Sequence, residues 1–168
     1  MAQNYDFSGQ GIADLRQDFL NLDQKLRKKV MTSALRKAAG ELRKVAIKNA
    51  KALDDLASPR SIAKNVNIQF ASRSSNKTGD FIMRVGISGG ARSPRKQNSR
   101  RHQSARSQKK RYATGGKGGD TYYWRFLEHG TKNISPRSFM VKSMNEAAPK
   151  VISTFMSTFR QKMSEVTP

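Results

Sequence analysis

Between Ile12 and Leu53 the apolar residues return every three or four positions: Ile12, Leu15, Phe19, Leu22, Leu26 and Val30, then Leu35, Ala38, Leu42, Val45 and Ala46. That is the period of a helix with one buried face, and no proline interrupts it. As a single helix the stretch would exceed about 60 Å at 1.5 Å per residue, too long for a small domain. Asn21-Leu22-Asp23 supplies capping side chains partway along, so the pattern predicts a short helix followed by a long one. Lys25, Arg27, Lys28 and Lys29 gather at the start of the second helix and read as a solvated face.

"SPRS" (58–61) ends the helical period. Val66, Ile68 and Phe70 then alternate with polar residues, and after "SSNKTGD" so do Phe81, Met83, Val85 and Ile87. Two period-2 runs around a Gly-containing turn predict an antiparallel hairpin with one buried face. Further on, "TYYWRFLEHGT" sets Tyr122, Trp124 and Phe126 against Tyr123, Arg125 and Leu127, the pattern of a third strand with rings on one face. In "SPRSF" (135–139) Ser135 is placed as an N-cap and Pro136 as the first helical residue. Val151, Ile152, Phe155, Phe159 and Met163 form a helical stripe, with Pro149 restarting or kinking the helix. The expected fold is therefore α+β: N-terminal helices and a C-terminal helix packed on a small antiparallel sheet. At 168 residues it is expected to form a single domain, 1–168.

Between the second and third of these strands the periodicity stops. From Ser88 to Gly119 the chain carries ten basic residues and no acid: Arg92, Arg95, Lys96, Arg100, Arg101, Arg106, Lys109, Lys110, Arg111 and Lys117. This is expected to be a long basic loop (88–119) inserted between strands, and a loop of that length is usually functional or disordered. It accounts for ten of the formal +21 charges, which come from 33 Lys and Arg against 12 Asp and Glu. Such an excess points to a polyanionic partner, nucleic acid or an acidic protein surface. The loop could be an arm that grips phosphates or one that orders against an acidic neighbouring subunit. Without interleaved aromatic residues it carries no base-reading information.

The remaining composition excludes several classes. With no cysteine there are no disulfides, thiolate nucleophiles or Cys-based zinc sites, which suits a reducing cytosol. "MAQNYDFSGQG" has neither a basic nor an apolar signal region, and no apolar run is long enough for a bilayer, so no membrane partner is expected. His102 and His129 are the only histidines, no metal-ligand spacing occurs, and "GKGG" (116–119) lacks the frame of a phosphate-binding loop. Glu128 and His129, adjacent on a strand, would point to opposite faces and could not act as a pair. No enzyme activity, metal or cofactor is expected, and a basic nuclease is the weakest of the alternatives.

The segment "YDFSGQGIADLRQDFLNLDQKLRKKVMTSALRKAA" (5–39) resembles the opening of the lambdoid-type phage tail-component family, also described as head–tail joining, neck or tail-completion proteins. The family's most specific mark is Tyr-x-x-x-Glu-x-Gly-Thr followed by Pro-x-x-Phe at a C-terminal helix. Here Trp124 or Tyr123 precedes Glu128, Gly130 and Thr131, then Pro136 and Phe139, with Ala147 and Ala148 where small residues are expected. The chain departs from the pattern after the long helix, where "SPRSIAKNV" stands in place of Thr-Gly-x-Leu.

The resemblance implies a structural virion protein that forms a homo-oligomeric ring at the head–tail junction, around the channel that carries the genome. Its partners would be copies of itself, other neck, connector and tail proteins, and genomic DNA. It would be made in the host cytoplasm and end in the virion. The alternative is a stand-alone, non-specific nucleic-acid-binding protein that uses the basic loop.

Overall fold

The computed structural model describes residues 16–54, 58–88, 117–119 and 121–166. Its elements are α1 (16–21), α2 (Gln24–Lys51), a short 3-10 turn (Ala63–Asn65), β1 (Val66–Phe70), α3 (Ser72–Thr78), β2 (Met83–Ile87), α4 (Trp124–His129) and α5 (Phe139–Ser164). The fold is α+β, with one two-stranded antiparallel sheet among the described residues.

Two compact units can be distinguished, each with its own core. The first comprises 1–42, 68–84 and 147–168; the second comprises 43–67 and 85–146. In the first, Val30 and Ala34 of α2 pack with Phe159 and Met163 of α5, joined by Phe19, Leu22, Met31, Phe155 and Val166. Three rings meet in this core: Phe155 stacks on Phe159 at 5.7 Å between centroids, and Phe19 lies tilted against Phe159 at 5.4 Å. In the second, Ala46, Ala50, Ile62, Ala63, Val66 and Phe139 form the buried centre. Most buried positions of α2 (Val30, Ala34, Ala38, Ala46, Ala50) and of α5 (Phe139, Ser143, Ala147, Phe159, Met163) fall on steps of four, with Ala39 and Thr158 buried next to them in sequence, so the buried line winds around each helix along its length.

The predicted break between a short and a long helix falls at Leu22-Asp23, where the Arg27 Nε donates to the Leu22 carbonyl at 2.8 Å. The predicted hairpin is present with the expected alternation: along β1 Val66 is buried, Ile68 and Phe70 half-buried, Asn67 and Gln69 exposed. Backbone bonds from Ser88 to Asn65 (2.8 Å) and from Ala71 to Ile82 (2.9 Å) set its register.

Three local expectations are corrected. The connection read as a simple turn is the helix α3, closed by Gly79 at φ +78°. Its sequence "SRSSNKT" buries only Ser75 and so shows no apolar period. Residues 124–129 are helix rather than a third strand, so 88–119 leads from β2 to α4 instead of joining two strands. Over six residues the rings alternate, but burial follows a helical face: Tyr123, Trp124, Leu127 and Glu128 turn inward while Tyr122, Arg125, Phe126 and His129 are exposed. Finally, α5 begins at Phe139 rather than Pro136, and it runs through Pro149 without a restart.

Candidate docking corner and the roots of the basic segment

The residues singled out by the sequence resemblance, from Trp124 to Phe139, form one construction, the corner between α4 and α5. Gly130 ends α4 with φ +76°, a conformation L side chains rarely adopt. A Cβ there would lie 2.8 Å from the Ile134 carbonyl oxygen and 3.0 Å from the Pro136 ring. Thr131 and Ile134 pair across the tight loop that follows, and the Arg137 N–H donates to the Leu127 carbonyl at 2.7 Å. The chain is thereby turned back so that the first turn of α5 meets the end of α4.

Glu128 closes the corner. Its side chain is buried, and its two carboxylate oxygens accept the N–H groups of Met140 (2.9 Å) and Val141 (3.3 Å). The first N–H groups of any helix lack partners within the helix, and the partial positive charge there favours an anion. A carboxylate from 12 residues upstream of Met140 thus does what Ser135 was expected to do. Phe139 fills the core beneath, and Trp124 and Leu127 pack against it. Arg125 lies over the Trp124 ring at 5.7 Å.

Since both Glu128 oxygens hold backbone donors, this residue is committed to structure. His129 is exposed on another face of α4. Among the described residues no three His, Asp or Glu side chains gather as metal ligands. What the corner offers outward is apolar surface: Tyr122, Phe126, Ile134, Val141 and Met144 are all exposed, the last at 64%.

The basic residues have a different status. Lys117 is described and exposed; Arg92, Arg95, Lys96, Arg100, Arg101, Arg106, Lys109, Lys110 and Arg111 lie outside the described residues. Both roots of that segment converge on one residue that sequence reasoning missed, one on its side chain and the other on its carbonyl. Asn65 is fully buried; its Nδ2 donates to the Gly119 carbonyl and to Thr121 Oγ1, both at 2.8 Å, and its Oδ1 accepts the Gly118 N–H at 2.9 Å. The Asn65 carbonyl accepts the N–H of Ser88 on the other root, and Asn67 bonds the Ser88 hydroxyl. The Gly118 carbonyl in turn accepts the Ser61 N–H at 2.9 Å. A Cβ on Gly118 would come within 1.9 Å of the Ser61 carbonyl oxygen, so only glycine fits. Upstream, Asp54 caps the 3-10 turn, accepting from the Ser61 hydroxyl (2.7 Å) and the N–H groups of Ile62 (2.6 Å) and Ala63 (3.2 Å).

A family model described as "Bacteriophage HK97-gp10, putative tail-component" matches residues 13–130. The match takes in α2, the hairpin, α4 and the Glu128–Gly130 end of the corner, and stops short of Pro136 and Phe139. No curated protein and no solved structure matches the chain.

Proposed function

Because the chain belongs to the HK97-gp10-like family of bacteriophage tail components, we propose that it is a structural virion protein of the head–tail junction. In this reading it is a neck or tail-completion component that assembles into a homo-oligomeric ring around the DNA channel, in contact with other neck, connector and tail proteins. The observation that carries this reading is the capped corner. It presents Phe126, Ile134, Val141 and Met144 to solvent from elements locked together by Glu128 and Gly130. Single exposed apolar residues are ordinary, but a rigid corner bearing several is the composition of an interface core. The basic segment, with Arg92 through Lys117, serves as an arm towards DNA or an acidic neighbour. It also tempers assembly, since identical strongly basic subunits repel until a polyanion or an acidic partner neutralises them.

The formal +21 charge also suits the alternative of a stand-alone nucleic-acid-binding protein. Native mass spectrometry of the full chain, alone and with a short DNA duplex, separates the two. A discrete higher oligomer that is lost in the variant Phe126→Ser/Met144→Asp, at unchanged circular dichroism, is the expected result. A chain that stays monomeric throughout while binding duplex tightly at low salt would replace this reading with the alternative.

A further inference from the structure

The basic segment is not the only concentration of positive charge. Lys25, Lys28, Lys29, Arg36 and Lys37 line one open groove of about 600 Å³ along α2, together with the hydroxyl residues Thr32 and Ser33. All five cations are exposed. Lys25, Lys28, Lys29 and Arg36 fall on the side of α2 away from the buried Val30, Ala34 and Ala38, and Lys37 flanks that side. Arg27 is not part of this set, because its guanidinium turns back to the Leu22 carbonyl.

Three features distinguish this face from an ordinary solvated helix surface. From Gln24 to Gly40 there are six basic residues and no acid, so no intrahelical pair offsets the charge until Glu41. Glu41 is itself bridged to Lys150 at 3.2 Å. Among the described residues none of the five groove cations has a salt-bridge partner. An adjoining groove shares Lys25 and Lys28 and is lined by Asp80, yet Asp80 pairs with neither. Thr32 adds a buried hydroxyl with no hydrogen-bond partner among the described residues.

We infer that this face of α2 is a binding site for the phosphate backbone of duplex nucleic acid, separate from the basic segment. Lys25 to Lys37 spans about 18 Å of helix axis at 1.5 Å per residue. A duplex presents roughly ten phosphates over that length, about half of them on the near side, which five cations can meet. Among the described residues the groove lining has no apolar residue, whereas the buried centre of a protein–protein interface is depleted in charge and rich in apolar side chains. With no aromatic or amide side chain among the described residues of the groove to read base edges, the contact is independent of sequence. The inference does not rest on a head–tail location, since a tail component placed elsewhere would carry the same face.

The test is fluorescence anisotropy of a labelled mixed-sequence duplex titrated with the full chain over a series of salt concentrations. Replacing Lys25, Lys28, Lys29, Arg36 and Lys37 by Gln should make the slope of log K against log salt shallower by about 4 to 5. A variant with the same charge loss at exposed positions elsewhere (Lys51, Lys64, Lys132, Arg137 and Lys142 to Gln) should move it by about 1 or less. Arginine at the four lysines of the groove should preserve binding. If the fivefold glutamine variant melts early, Lys28→Gln/Arg36→Gln alone should still flatten the slope by about 2. Equal slopes for groove and control variants would overturn the inference. So would groove variants that keep duplex binding but lose binding to polyglutamate, which would make the partner an acidic protein.

Discussion

Replacing Glu128 by Ala removes a single side chain from the corner between α4 and α5, and the geometry says what that costs. Two backbone N–H groups lose a charged acceptor, one at 2.9 Å and one at 3.3 Å. A hydrogen bond to a charged group contributes about 1.5 kcal/mol at the lower end of its range, giving about 3 kcal/mol for the pair. The interaction of the carboxylate with the helix dipole is contained in that figure rather than added to it. Val141 is exposed and its N–H can turn to water, while Met140 is half-buried and its N–H has less recourse. For a chain of this size, 1 kcal/mol shifts the melting temperature by about 2–4 °C, so Glu128→Ala should melt about 6–12 °C below the parent.

Glu128→Gln keeps the volume and one acceptor but loses the charge, and should fall about halfway. Thermal melts followed by circular dichroism at 222 nm measure both. An alanine variant melting within about 2 °C of the parent, or a glutamine variant indistinguishable from it, would refute the capping account. The same reasoning predicts that any assembly defect of Glu128→Ala is relieved by working below its melting temperature, since the residue contributes by holding the corner.

Other predictions follow from the roots of the basic segment. Asn65→Ala leaves the buried Gly118 N–H without its acceptor and takes a donor from the more exposed Gly119 carbonyl, and should destabilise the chain by about 1–3 kcal/mol in urea unfolding. Gly118→Ala should be at least as damaging, because the new methyl would overlap the Ser61 carbonyl; a melt equal to the parent's would show that the turn can give way. Exchanging residues 90–115 for a short Gly-Ser linker should leave the melt unchanged, whereas a deletion extended through Gly118 should lower it, as it takes one of Asn65's partners. We propose that the chain behaves as a single domain, so calorimetry should show one transition whose calorimetric and van't Hoff enthalpies agree; two resolved transitions would assign the two compact units separate stabilities.

The long helices and the hairpin were legible because their signals are local and periodic: the stripe from Leu22 to Ala46, the alternation of Val66, Ile68 and Phe70, and the stripe from Val151 to Met163, of which Ile152 alone, 64% exposed, does not turn inward. Misreadings came where a segment is too short for a period to show. Six residues at 124–129 satisfy both a strand and a helix pattern, and what decides between them is Gly130 closing α4 and Glu128 reaching the start of α5. The polar α3 has no apolar stripe to read at all. Ser135 and Pro136 carry a local start signal for a helix that a distant carboxylate overrides. The Asn65 hub was invisible for the plainest reason, that its side-chain partners lie 53 to 56 residues away and nothing in "KNVNI" marks it. The family resemblance picked out Glu128 and Gly130 by spacing, and the structure supplies the reason for that spacing: one closes a helix by its backbone, the other opens the next by its charge.

The central claim is a place in the particle. Immunogold electron microscopy on intact virions of the phage that encodes the chain, with antibody raised against the full protein, tests it most directly. The account predicts label at the junction between head and tail. Label confined to the distal tail, or intact tailed virions that lack the protein altogether, would contradict it.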